Sequence, residues 1–297
     1  MKYRQKPLFA ACLLAMGALL STAPIQGAWA QTAPALGTAS NFAVLGGAGV
    51  TCTTSGVAGD VGSLLSATGF PPPTPALCTL VGTLHAGDAA AITAFNDVFG
   101  VDRAYDRLKA MTCDAAHNLT DLPLGGMRLA PGVYCFNSTA DLTTGTLTLD
   151  GGGNRNAVWV FQVGSAITTG TASVVMAGRG QACNVFWQLG TAATIGTGTA
   201  FMGNILAGSA ITFTGVNSSL VGRALAKTAV TMTGTNISIG NCGGTQPPSC
   251  DKDHKHHKNC KHHKNDKPHC DGDHDGHDQD DRDQDDDDQD QDDHDRK

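Results

Sequence analysis

Four times in its second half the chain places Ser or Thr, then Ala, any residue, and Thr. The copies are Ser165-Ala166-Ile167-Thr168, Thr191-Ala192-Ala193-Thr194, Ser209-Ala210-Ile211-Thr212 and Thr228-Ala229-Val230-Thr231. Their starts lie 26, 18 and 19 residues apart, and a near-fixed period in this range marks a solenoid, whose coils bury their apolar surface against one another. An apolar run precedes each copy, at 158–163, 185–189, 205–207 and 224–226, and Gly follows each within a few residues.

A coil of 18 or 19 residues divides into three sides of about six residues, each roughly 17 to 20 Å long, and parallel coils stack at about 4.8 Å. In the last two coils Ile211 and Phe213, then Val230 and Met232, alternate and point inward. Alternation then sends Ala210, Thr212 and Thr214 outward, with Ala229, Thr231 and Thr233 beside them. The same register places Ala192, Thr194 and Gly196, and Ala166, Thr168 and Gly170, on that surface. The outer side therefore carries an Ala column, a Thr column and a mixed Gly/Thr column, with no charged side chain in any of them.

The apolar runs behave differently. Trp159, Phe161, Phe186, Trp187, Ile205, Leu206 and Leu225 are bulky at consecutive as well as alternate positions, and a strand apolar on both faces must be covered on both. A cover is available between about Asp88 and Met111. There Ile92, Phe95, Val98 or Phe99, Tyr105, Leu108 and Met111 recur at helical spacing opposite Asp97, Asp102, Arg103, Asp106, Arg107 and Lys109. This predicts an amphipathic helix of about six turns, with Asp88 as N-cap and Gly100 as a weak point. It is expected to lie along the second kind of side and to leave the Ala/Thr columns open.

Composition sets the limits of the chain. Lys2, Arg4 and Lys6, the apolar stretch 8–20 and Ala28-Trp29-Ala30 read as a secretory signal peptide over residues 1–30, with cleavage near Ala30. The sequence predicts an exported protein, extracellular or periplasmic, whose mature chain begins at Gln31. No later stretch has the roughly 20 apolar residues of a membrane helix. Residues 31–243 form a near-neutral body with nine Asp, eight Lys or Arg and no Glu, and no nucleic-acid partner is expected. Six cysteines in the body (52, 78, 113, 135, 183 and 242) favour disulfides in an exported chain and leave fifteen pairings open. Oligomeric state stays open.

The residues now carry a resemblance. The stretches GTASNFAVL (37–45), GGMRLAPGVYCF (125–136), LTLDGGGNRNAVWVF (147–161), CNVFWQL (183–189), GNILAGS (203–209) and GRALAKT (222–228) resemble the microbial ice-binding (antifreeze) proteins. The likeness runs over residues 34–242 in the family's order. It implies a discontinuous, right-handed, three-sided β-helix with one long α-helix alongside, and adsorption to an ice crystal surface. Some members carry Thr-Ala/Gly-x-Thr/Asn on the ice face. Thr191–Thr194, Thr228–Thr231, Thr214–Asn217 and Thr233–Asn236 fit that motif here. The expected ice-binding residues are Ala166, Thr168, Ala192, Thr194, Ala210, Thr212, Thr214, Ala229, Thr231 and Thr233.

Two rival readings are set beside this one. Many β-helices are carbohydrate-active enzymes, but glycoside hydrolysis normally needs a carboxylate pair flanking one bond. The body has no Glu, its Asp residues are scattered, and Asp60 and Asp150 lie beside glycines as turn residues do. The expectation is therefore a non-enzyme that requires no cofactor. The second rival is a secreted structural or adhesin-type solenoid, in which Thr and Ala simply suit an exposed β surface.

The tail, 244–297, is of another kind. From residue 251 onward it holds eighteen Asp, nine Lys or Arg and nine His with no aliphatic or aromatic side chain, so it cannot fold by burial and reads as disordered. His254, His256, His257, His262, His263 and His269, with Cys250, Cys260 and Cys270, are candidate ligands for Zn, Ni or Cu in loose, multi-site binding. Asp271–Gly276 imitates the start of an EF-hand loop, yet position 12 would be Arg282 in place of Glu, and that match fails.

Overall fold

A computed structural model describes residues 32–71 and 77–240. The leader (1–30), the tail (244–297) and residues 72–76 lie outside the described residues. So does Cys242.

Every pairing between strands is parallel, and the strands fall on three sides. The first, here the Thr side, stacks 140–143, 167–170, Ala193–Ile195, Ile211–Phe213, Ala229–Thr233, Gly49–Thr53 and Ser66–Thr68. The second stacks 144–150, 171–177, 200–202, 218–221, Thr235–Ser238, Gly56–Ala58 and Thr79–Val81. The third stacks Gly132–Phe136, Trp159–Val163, Val185–Leu189, 204–207, 224–226, Phe42–Gly46, Asp60–Ser63 and Leu84–Ala86. This is the three-sided β-helix expected from the period.

The stack does not follow chain order. The last coil pairs with the first, Val44 with Ala224, Thr231 with Thr51 and Ile237 with Val57. Coils formed by residues 42–86 therefore continue the stack beyond residue 238. The chain leaves the stack at one end, after Leu84–Ala86, and re-enters at the other, where an irregular end coil (Asn118 bridged to Cys135, Arg128–Leu129 paired with Thr148–Leu149) precedes Gly132–Phe136. That return crosses seven coil steps, roughly 34 Å at about 4.8 Å each. A helical arm over residues 89–109 has about the same length at 1.5 Å per residue.

The arm starts where expected, with Asp88 Oδ1 accepting the Ala91 N–H at 2.9 Å. It is jogged at the weak point: α1 spans Ala89–Phe99, α2 spans Ala104–Lys109, and Asp102 between them takes a left-handed φ of 56°. One expected contact is corrected. Ile92 lies 46% exposed, and Ala91, Ala94 and Val98 face the sheet in its place. Small side chains suit a close approach here, since Phe95 packs against Gly47, where an added Cβ would meet its ring at 2.8 Å.

The helix covers the doubly apolar side. Inside the coils lie Trp159, Phe161, Trp187 and Ile205, while Val160, Phe186, Leu206 and Leu225 pack outward against Ala94, Val98, Tyr105 and Leu108. Polar bonds fix the arm along its length. Tyr105 donates its hydroxyl to the Leu189 carbonyl, and Gln162 Nε2 donates to the Leu108 and Met111 carbonyls. Asp97 Oδ2 accepts both the N–H and the hydroxyl of Thr38 at 2.8 Å. Disulfides Cys52–Cys78 and Cys113–Cys135 resolve two of the open pairings, one towards each end of the stack.

The backbone hydrogen bond from Thr38, with that residue's hydroxyl, holds the Asp97 carboxyl below its ordinary value of 3.8. A depressed folded value means that the bond's stabilisation is complete above the ordinary value and drains away as pH falls through the folded one. Asp97→Asn should lower the melting temperature by a few degrees at about pH 7 and flatten the acid limb of the stability profile. Thermal unfolding followed from about pH 7 to pH 2.5 checks both, and unchanged melting at neutral pH would contradict them.

Candidate functional site

On the Thr side, strand register brings threonines into one line. Thr168 pairs with Thr194, Thr194 with Thr212, Thr212 with Thr231, Thr231 with Thr51, and Thr51 with Thr68. Four of the six are the expected ones. Their inward neighbours Ile167, Ile195, Ile211, Phe213, Val230, Met232 and Val50 are buried, and all six threonines reach the surface. Among the described residues, none of these six hydroxyls has a hydrogen-bond partner within the protein.

The Ala column flanks this line. Ala229 pairs with Gly49, and Gly49 with Ser66. Ala166, Ala192 and Ala210 continue it through bonds such as Ile167 N–H to the Ala192 carbonyl and Ala193 N–H to the Ala210 carbonyl. On the other flank Thr233 pairs with Thr53, and Thr214 lies one coil away. Along a strand, outward residues repeat at about 6.7 Å, so the Ala and Thr columns over six coils, with the shorter third column beside them, make a surface up to roughly 13 by 24 Å.

Gly170 and Gly196 continue the third column half-exposed, and neither place has room for a side chain. A Cβ there would sit 2.3 and 2.5 Å from the carbonyl oxygens of Thr143 and Thr169, so glycine is what lets the coil close at that corner. The buried Thr169 hydroxyl lies 2.9 Å from that of Thr199 and accepts the Gly196 N–H at 3.0 Å, while Thr199 donates to the Gly170 carbonyl. These bonds stiffen the edge of the surface. The motif copies Thr214–Asn217 and Thr233–Asn236 turn the same corner, with left-handed φ at Asn217 and Gly234 and with Thr235 buried. Only their first threonines belong to the Thr side.

Charge is kept off this surface except at one end, where Asp141 pairs with Thr168 and ends the column. Lys227, beside the corner that leads into Thr228-Ala229, turns toward the helix, with its ammonium 4.7 Å from the Tyr105 ring centre and 5.9 Å from that of Phe99. The second side is also exposed, but carries the bulkier Val175, Met202 and Val221 and an Arg128–Asp150 ion pair at 2.6 Å. A cleft of about 440 Å³ beside the start of α1 is lined by Asn41, Phe42, Asp60, His85 and Thr93, among others. Its acidic and imidazole groups are structurally engaged: Asp60 accepts the Thr83 N–H, and His85 bonds to the N-cap carboxylate of Asp88 at 2.7 Å. Asp150 likewise accepts the Gly152 N–H and holds Arg128. The tail histidines His254, His256, His257, His262, His263 and His269 lie outside the described residues.

Sequence periodicity missed Thr51, Thr68, Gly49, Ser66 and Thr53. They belong to coils that precede the repeat in the chain and follow it in space. The available signal was local: Val50-Thr51-Cys52-Thr53 alternates as a half-buried strand does.

A helix-backed, three-sided β-helix with one rigid, nearly uncharged, threonine-lined side defines the structural class. Residues 44–238 match the family described as Ice-binding-like, and the chain belongs to that family. An ice-binding protein of Nostoc sp. (strain HG1) is 48% identical over 186 residues, 61% of this chain and 65% of that protein. Ice-binding protein 1 of Shewanella frigidimarina (strain NCIMB 400) is 35% identical over 212 residues, 62% of this chain and 24% of that protein. The chain thus aligns with less than two thirds of either relative's length. A crystal structure of an ice binding protein from an Antarctic biological consortium superposes with a TM-score of 0.64 at 36% identity, over 70% of this chain and 91% of that one.

Proposed function

We propose that this protein adsorbs to ice through the Thr side and thereby restrains ice growth and recrystallisation. The observation that carries this is the line of six threonines in strand register, whose hydroxyls have no protein partner among the described residues. The methyl groups of Thr and Ala order adjacent water, and the unengaged hydroxyls hydrogen-bond it. Thr is stiff at χ1, so docking costs little side-chain entropy. The grid of about 4.8 by 6.7 Å is on the scale at which water repeats in a plane of ice. Adsorption of this kind needs no covalent bond to be made or broken, and it agrees with the names of the relatives.

The surface can be tested without touching the core. Thr194→Tyr with Thr212→Tyr should raise the concentration needed to inhibit ice recrystallisation by about tenfold or more, with unchanged circular dichroism and melting. Thr51→Tyr should weaken activity as Thr231→Tyr does, because the two positions are neighbours across 180 residues of chain. Undiminished inhibition by the double variant would remove the Thr side from the function and favour a structural or adhesin-type solenoid.

For the tail we propose loose, multi-site binding of Zn, Ni or Cu, supported by the sequence repeat Lys255-His256-His257-Lys258-Asn259 and Lys261-His262-His263-Lys264-Asn265. Calorimetric titration of the full chain with Zn or Ni should show several sites, mostly lost when His256, His257, His262 and His263 are changed to Ala. Absence of heat with the unaltered chain would dispose of the idea. Export through the leader is part of the same proposal, and a mature N-terminus at Gln31, read by mass spectrometry, is its check.

A further inference from the structure

The Thr column ends differently at its two extremities. At one, Thr68 stands on the terminal coil, exposed, with Ser66 beside it and Leu65 73% exposed at the adjoining corner. Among the described residues nothing charged enters the column there. At the other, the line reaches Thr168 and the next coil presents Asp141 at the matching position. The coil itself does not stop at that point. Strand 140–150 continues the ladder with ten paired residues, Ala140 and Leu142 are buried on either side of Asp141, and Thr143 and Thr144 follow exposed. The backbone thus offers a seventh place in the column, built like the other six, and the side chain in it is a carboxylate.

We propose that Asp141 is the boundary residue of the adsorbing surface. A charged group binds its own first shell of water tightly and costs heavily to strip, so water beside Asp141 is held by the carboxylate and not in the arrangement set by the threonines. The side chain is also anchored: Asp141 Oδ1 accepts the Thr143 N–H at 2.9 Å, which fixes the charge on the surface. Beyond it, Pro123 pairs as an isolated bridge with Asp141, and the Leu124 N–H donates to the Asp141 carbonyl. Proline has no N–H to extend a ladder, so on the Thr side the ladder stops at this bridge, while the same end coil pairs Arg128–Leu129 with Thr148–Leu149 on the second side. The adsorbing surface therefore holds six coils of a possible seven, and one residue sets that size.

This inference rests on adsorption through the Thr side, and its test keeps the two apart. In the full chain, Asp141→Thr lengthens the column by one position. It should lower the concentration that halts ice recrystallisation by about twofold, and raise the freezing-point gap in step. Asp141→Asn removes the charge while keeping an oxygen acceptor for the Thr143 N–H, so it should give part of that gain and guards against loss of the local turn. Asp141→Lys keeps a charge and should give none. Each variant is compared at equal monomer concentration by size exclusion, with melting measured alongside. If Asp141→Thr and Asp141→Asn match the unaltered protein while the Thr194/Thr212 double variant loses activity, the boundary role is overturned and the Thr side stands. If Asp141→Thr only aggregates and Asp141→Asn gains nothing, the charge serves to block strand association, and the proposal falls. If the Thr194/Thr212 double variant keeps full activity, the Thr side itself falls, whatever the Asp141 variants do.

Discussion

The parallel pairing of the first coil on the last is the contact from which the rest of this structure follows. It joins residues about 180 positions apart, Val44 to Ala224 on the helix side and Thr231 to Thr51 on the Thr side. Such a contact carries a large loop-closure cost, and the protein concentrates interactions there. Arg223, 2% exposed, donates from its guanidinium to the Ser40 carbonyl and to Asn204 Oδ1, and Asn204 in turn donates to the carbonyls of Cys183 and Val185. A buried cation held by several oxygens is expensive to disturb, which makes the junction specific as well as tight. Because the two segments meet coil to coil, six threonines from both ends of the chain become a single line.

Much of the fold was legible because solenoids write their geometry in period and alternation. Ile211, Phe213, Val230 and Met232 lie inside and Thr212 and Thr231 outside, as strand alternation requires. The apolar runs around Trp159 and Trp187 lie under the helix, since strands greasy on both faces have no other place to go. The junction was not legible, because nothing local at Val50 says that it will lie beside Val230. Residues of the site contributed across that junction were lost with it. Corners were legible only in part for a related reason: Gly170 and Thr214 occupy equivalent places in the repeat, yet the need for glycine at 170 turns on backbone contacts that only the neighbouring coil supplies.

The Thr side is flat because the rest of the protein absorbs the irregularity. Aromatic rings fill the interior as a stepped series, with Tyr134 and Phe161 5.5 Å apart, Phe161 and Trp187 3.9 Å, and Trp187 and Phe201 5.0 Å. These bulky groups sit toward the helix side and the second side, whereas the inward positions beneath the Thr column are mostly aliphatic: Ile167, Ala193, Ile211, Val230 and Val50. Lys227 is drawn over aromatic rings on the helix side. Uniform filling below and charge diverted sideways leave a surface whose shape repeats from coil to coil.

The returning helix couples the size of the solenoid to a second ruler. Adding one coil lengthens the stack by about 4.8 Å, which the arm can match only by gaining about three residues at 1.5 Å each. Three residues turn a helix by about 300°, not a full circle, so its apolar stripe would rotate off the sheet by about 60°. Growth by whole coils thus demands a compensating irregularity in the arm, and the jog at residues 100–103 is a place where such a phase difference can be taken up. Lineages that vary coil number should show correlated changes in that segment, so that the length of the arm serves as a tally of the coils it spans.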